Sequence, residues 1–170
     1  LRRHDVKRKE LPFAKYQPLY DVAVFSAFAC NQDFAGGGVA ALCSMAAERE
    51  SLHGSGAVKY MLDLLLNGKS LRSRCDALDA IGSLVKSRDA CRELMGWKGR
   101  DTRTGDEYAG LGLIFHLKGS KHPQLQRAGI AVVSQVLTSD ALKHAERLQP
   151  EMMEGLCGFG YSSDEGAGAV

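Results

Sequence analysis

The chain has 170 residues, of which 45% are apolar and 25% charged, and it carries a net charge of +2. That length holds one domain with a sizeable core, and the composition is ordinary for a globular protein. The small net charge does not imply a nucleic-acid partner, and no apolar run approaches the ~18 residues a membrane span needs.

Residues 1–11 read as a basic, extended N-terminus, with Arg2, Arg3, Lys7, Arg8 and Lys9 set against Asp5 and Glu10. Such a block is either a solvated terminus or a contact for anionic surfaces and phosphate backbones, with Arg2, Arg3 and Arg8 as its candidate contacts. A chain opening on Leu1 is expected to be a fragment or a processed product. Residues 12–160 carry helical patterning throughout. Pro18 is expected to start a capping helix with Leu19, Val22, Ala23, Phe25 and Ala29 on its apolar face. Gly36-Gly37-Gly38 then reads as a flexible joint.

A repeating pattern follows. Ala41-Leu42-x-x-Met45, Ala80-Ile81-x-x-Leu84 and Ala131-Val132-x-x-Gln135 share small-apolar-x-x spacing on a helical face. Each precedes a short polar-edged segment, at 47–54, 87–94 and 138–145, and Ser87 and Ser139 are N-cap candidates. Each short segment precedes a further apolar helix: GAVKYMLDLLL at 56–66, GLGLIFHLKGS at 110–120 and PEMMEGLCGFG at 150–160. Gly68, Gly119 and Gly158 or Gly160 stand where glycine ends helices. Long helices over 71–87 and 122–138 place Cys75, Leu78, Ile81, Leu84 and Val85, and then Leu125, Ala128, Ala131, Val132 and Val136, at helical spacing. No alternating run bounded by turns predicts a strand.

This pattern resembles the armadillo-like helical repeats, over roughly residues 38–158. GAVKYMLDLLL is similar to the family's second-helix start and ALDAIGSLV to its third-helix core. The resemblance implies an all-α fold, an armadillo-like α-solenoid of about three imperfect repeats behind an N-terminal capping helix. The family members that carry peptides present asparagine and tryptophan ladders on their third helices. Here Asn31 and Asn67 are the only asparagines and the only tryptophan, Trp97, lies elsewhere, so that mode is not expected. Residues 161–170 read as a flexible C-terminal tail.

The repeat is interrupted between Leu84 and Gly110, where about fifteen additional residues form an insertion loop at 97–110. Insertions in such arrays fall on edge loops, and loops carry function. Trp97, Arg100, Arg103 and Tyr108 have the composition of a partner-binding cluster. The alternative is that Trp97 and Tyr108 anchor an inert loop.

Chemistry is not predicted. Gly68-Lys69-Ser70 imitates the end of a phosphate loop, but Asp63 replaces the first glycine and a leucine-rich helix replaces the strand. The five histidines show no metal-ligand spacing, and the serines no nucleophile-elbow context. No catalytic residue, cofactor or metal is expected. The five cysteines form no Cys-x-x-Cys pair and fit an intracellular, reducing compartment, with the mitochondrion or the cytoplasm as its site. All of them except Cys91 stand in apolar surroundings, as small buried residues would. The sequence thus points to a non-catalytic protein-interaction scaffold, an accessory or structural subunit of a larger complex, organellar or otherwise, with other subunits as its partners. The alternative is an RNA-binding helical repeat that uses the basic N-terminus with Arg72, Arg74, Lys86 and Arg88.

Overall fold

A computed structural model describes residues 12–138; the basic start with Arg2, Arg3 and Arg8, the segments at 139–160 with Ser139, and the tail at 161–170 lie outside the described residues. The described chain is mostly helical. Its helices are α1 (Pro12–Phe25), α2 (Ala29–Ser44), α3 (Ala46–His53), α4 (Ala57–Asn67), α5 (Leu71–Leu84), α6 (Arg88–Gly96), α7 (Gly110–His116) and α8 (Pro123–Thr138). Between α6 and α7 stand two short strands, β1 (Lys98–Arg100) and β2 (Glu107–Ala109), and a 3-10 turn, Leu117–Gly119, extends α7. No described helix is long and apolar enough to cross a membrane.

The local signals explain most boundaries. Ser70 caps α5 by accepting from the Ser73 amide, and Ser87 caps α6 by accepting from the Ala90 amide. Gly56 joins α3 to α4 at φ 78°, a left-handed conformation in which a Cβ is strained. Pro12, rather than Pro18, opens α1, where a missing amide costs nothing. Pro18 sits on the exposed side inside that helix. The buried face of α1 is also rotated from the expected one. Tyr16, Tyr20 and Ala23 face inward, whereas Phe25 is 72% exposed.

The glycine triplet is a second correction. Gly36, Gly37 and Gly38 lie inside α2, not in a joint. A Cβ on Gly36 would stand 3.0 Å from Leu64 Cδ2, and one on Gly37 3.4 Å from Asp76 Oδ2. Glycine costs a helix roughly 0.5–1 kcal/mol per residue relative to alanine. Here that cost is set against the close approach of α2 to α4 and α5.

The core is continuous. Nearly every side of α4 is buried, with Ala57, Val58, Met61, Leu62, Leu64, Leu65 and Leu66 all inside. It packs against α1, α5 and α6. On one side of the molecule α2 packs on α5, and α5 on α8. The order short helix, second helix, long helix occurs twice, as α3–α4–α5 and α6–α7–α8. At the start of the described chain, Tyr20 stacks on Tyr60 at 4.7 Å and shares a 2.6 Å hydrogen bond with Ser55. Those contacts tie α1 to the α3–α4 turn.

Candidate binding surfaces

The Gly68-Lys69-Ser70 turn is filled from within. Asp33 of α2 accepts from the Ser70 hydroxyl and, at 3.1 Å, from the Ser73 amide. Its carboxylate therefore occupies the first turn of α5, where amides and the helix dipole favour an anion. Gln32 accepts from the Lys69 amide at 3.0 Å, and the Lys69 ammonium donates to the Ala27 carbonyl at 2.7 Å. The motif that imitates a phosphate loop is thus a tether between α2 and α5.

The insertion is a hairpin rather than an open loop, a correction to the absence of predicted strands. Lys98, Gly99 and Arg100 pair antiparallel with Ala109, Tyr108 and Glu107. The reversal is made by Asp101, whose carboxylate accepts from the Arg103 amide at 2.7 Å, and by Gly105, whose amide donates to the Asp101 carbonyl at 2.8 Å. Burial works against the ionised Asp101, but the Arg103 guanidinium and amide outweigh it and hold this carboxyl below its usual range.

The four described residues of the sequence-predicted cluster separate. Trp97 is only 7% exposed, and its indole N–H donates to Asp63 of α4 at 3.2 Å. It anchors the hairpin inward and offers no surface. Tyr108 is half-buried, tilted against His116 at 5.3 Å. Arg100 pairs with Glu107 across the hairpin at 2.6 Å, and Arg103 with Asp101 at 3.2 Å. Both guanidiniums are engaged locally, although each side chain remains largely exposed. Asn67 of α4 adds a second tie, accepting from the Thr102 amide at 2.9 Å.

A different surface gathers recognition groups. Arg72, Cys75 and Asp79 of α5 line an open groove with Gln124 and Arg127 of α8, over Leu71 and Ala128. The groove encloses about 760 Å³. Small residues at Cys75 and Ala128 leave the trough open between the two helices. Burial raises the Asp79 carboxyl above its usual range. Burial, followed by the Asp79 and Asp76 carboxylates, pushes the Cys75 thiol up. Beside the groove Asp76 is also raised by burial, with Arg72 opposing at 3.9 Å. One of its carboxylate oxygens, Oδ2, is buried with no hydrogen-bond partner among the described residues.

The basic side chains of the alternative reading divide. Arg72 and Arg74 stand in the first turn of α5, while Lys86 and Arg88 follow its far end. A 14-residue helix separates them by roughly 20 Å. Two cysteines exchange their expected places. Cys91 is buried, with its thiol 3.0 Å from the Val85 carbonyl, and Cys30 is exposed. Among the described residues no three His, Cys, Asp or Glu side chains gather as a metal cluster would. No protein-family model matches the chain, and no curated protein matches it in sequence.

Proposed function

We propose that this chain is a non-catalytic, armadillo-like helical scaffold that binds another protein through the groove between α5 and α8. The observation that carries the reading is the convergence of Arg72, Asp79, Gln124 and Arg127 on one open trough with an apolar floor. Two guanidiniums suit carboxylates, the Asp79 carboxyl suits N–H donors, and the Gln124 amide suits a peptide backbone. An extended polypeptide offers all of these partners at once. The succession of α2, α5 and α8 supports a solenoid, in which each repeat completes its apolar burial on its neighbour. An accessory subunit of a larger complex is the role that fits such a surface.

RNA is the second reading, and the division of the basic residues on α5 weighs against it. Co-elution of the full chain with candidate partner proteins tests the proposal. The double variant Asp79→Lys, Arg127→Glu is expected to abolish co-elution while the melting temperature stays within a few degrees. A monomer that engages no protein, or a partner retained by the variant, would contradict the reading. Binding of RNA at low salt that weakens steeply as salt rises would favour the alternative.

A further inference from the structure

Two guanidiniums among the described residues are half-buried, and they are used differently. Arg49 donates through Nε to the Cys43 carbonyl at 3.0 Å and through Nη2 to the Ser44 carbonyl at 3.2 Å, closing the end of α2. Arg74 of α5 donates only through Nε, to the Leu65 carbonyl at 2.9 Å. Among the described residues its two Nη groups meet no acceptor, and no carboxylate stands within ion-pair distance of them. Asp101 is near enough for its charge to be felt, but both of its oxygens are bonded to Arg103. Burial first, and then the Arg103 charge, work against the Arg74 cation, and Asp101 offsets them only in part. Four N–H donors on a partly desolvated cation are therefore left open. Such a group holds an anion more strongly than a fully solvated one does.

Arg74 lines a cavity of about 590 Å³ with Phe115, His116, Leu117, Gly119 and Ser120, and none of these residues is acidic. We propose that this cavity binds a phosphate monoester. Its donors come from three elements. Arg74 reaches it from α5, the exposed His116 ends α7 and offers a ring N–H in either tautomer, and Ser120 stands in the turn before α8. Ser120 Oγ accepts from the His122 amide at 3.2 Å, which leaves its hydroxyl proton to give. The Ser120 carbonyl accepts from the Gln126 side chain at 2.8 Å, so the turn is held in place. A tetrahedral phosphate offers three free oxygens to donors on three sides, whereas a carboxylate offers two in one plane. Phe115 and Leu117 give the carbon part of the ester an apolar wall. The last carbonyls of α4 and α7 weaken the hold on an anion, and the Arg103 charge works the other way. The near-double charge of a monoester then decides against a diester or a carboxylate, which carry one. Arg74 faces α4, whereas Arg72, Cys75 and Asp79 line the α5–α8 groove, so the two proposals stand or fall independently.

Amide chemical shifts of the full chain, followed by NMR while phenyl phosphate is added at constant ionic strength and neutral pH, test the site. Saturable shifts confined to Arg74 and residues 115–120 are expected, with a dissociation constant in the low millimolar range. Acetate and dimethyl phosphate, at the same ionic strength, should bind at least fivefold more weakly. Arg74→Gln is expected to weaken phenyl phosphate at least tenfold. Because Arg74 also closes α4, His116→Ala provides the check that does not depend on folding. His116 is exposed, so melting should hold while affinity falls at least threefold. Arg88→Gln, at the exposed start of α6, should leave binding within twofold of wild type. Free O-phosphoserine and a short peptide carrying phosphoserine separate the two sources of the group: tighter binding of the peptide assigns the site to a phosphorylated protein, and equal binding to a free ester. No saturable shift up to about 20 mM phenyl phosphate, equal binding of acetate or the diester, or an affinity that both Arg74→Gln and His116→Ala leave unchanged would overturn the proposal.

Discussion

The two junctions between a short helix and the helix that follows it solve one problem in different ways. At α3–α4 the chain turns within Gly54-Ser55-Gly56, and the buried Ser55 hydroxyl bonds the Leu52 carbonyl at 2.6 Å and Tyr20 at the same distance. At α6–α7 the chain leaves the helical layer, forms a hairpin, and returns at Gly110. The longer junction is no looser. Its base is pinned to α4 through Trp97 and Asp63, its turn through Thr102 and Asn67, and its charged tips pair with each other. A junction can therefore lengthen without exposing its aromatics, provided one edge of the insertion packs back on the preceding unit. What looks from composition like a binding loop is half clamp.

That comparison can be broken at its strongest point by Trp97→Ala. Removing a buried tryptophan is expected to cost about 3–5 kcal/mol, measured by urea unfolding, if the hairpin is a clamp. A loss below about 1 kcal/mol would make it an appendage. Gly56→Ala probes the tight junction and should cost about 1 kcal/mol, because a Cβ is strained at φ 78°. Asp63→Asn sharpens the link between the two junctions. Burial raises the Asp63 carboxyl, although the Trp97 N–H and the Lys59 charge oppose that rise. The folded state thus holds this proton more tightly than the unfolded chain does. Ionisation of Asp63 then weakens the fold as pH rises past the usual carboxylate range, and protonation restores the loss as pH falls through the raised value. Asparagine keeps an acceptor for Trp97 and carries no charge. The variant is therefore expected to be the more stable at neutral pH, with its advantage closing as pH falls toward about 4 and gone below it. A difference that widens in acid would contradict this. The smallest effect belongs to Arg100→Ala. Its pair with Glu107 is exposed, so stability should change by less than about 0.5 kcal/mol.

The elements legible in the sequence are those whose signals are local. Spacing placed Leu78, Ile81, Leu84, Val85, Leu125, Val132 and Val136 on apolar helix faces, and all are buried, whereas Ala131 from the same set is exposed. Ser87 and Gly68 marked boundaries because caps and helix stops depend on neighbours in sequence. The misreadings have a shared origin. Gly36–Gly38 looks like a hinge until Leu64 and Asp76, some thirty residues away, are seen to need the space. Strands of three residues are too short to show alternation, although Asp101 and Gly105 carried a turn signal that could have exposed the hairpin. Trp97 looked available because nothing in the sequence reveals that Asp63 faces it. The α5–α8 groove was partly legible, since the helical spacing that buries one side of each long helix leaves Arg72, Asp79, Gln124 and Arg127 on the exposed side. Their convergence required the packing of those helices on each other.

The central claim is that the groove between α5 and α8 receives a protein. A photo-activated cross-linker at Gln124, compared with one at Lys86 beyond the far end of α5, tests it in native extract. The account predicts protein cross-links from position 124 that disappear when Arg127→Glu is added, and none above background from position 86. Equal labelling from the two positions, or position-124 cross-links that survive Arg127→Glu, would contradict it.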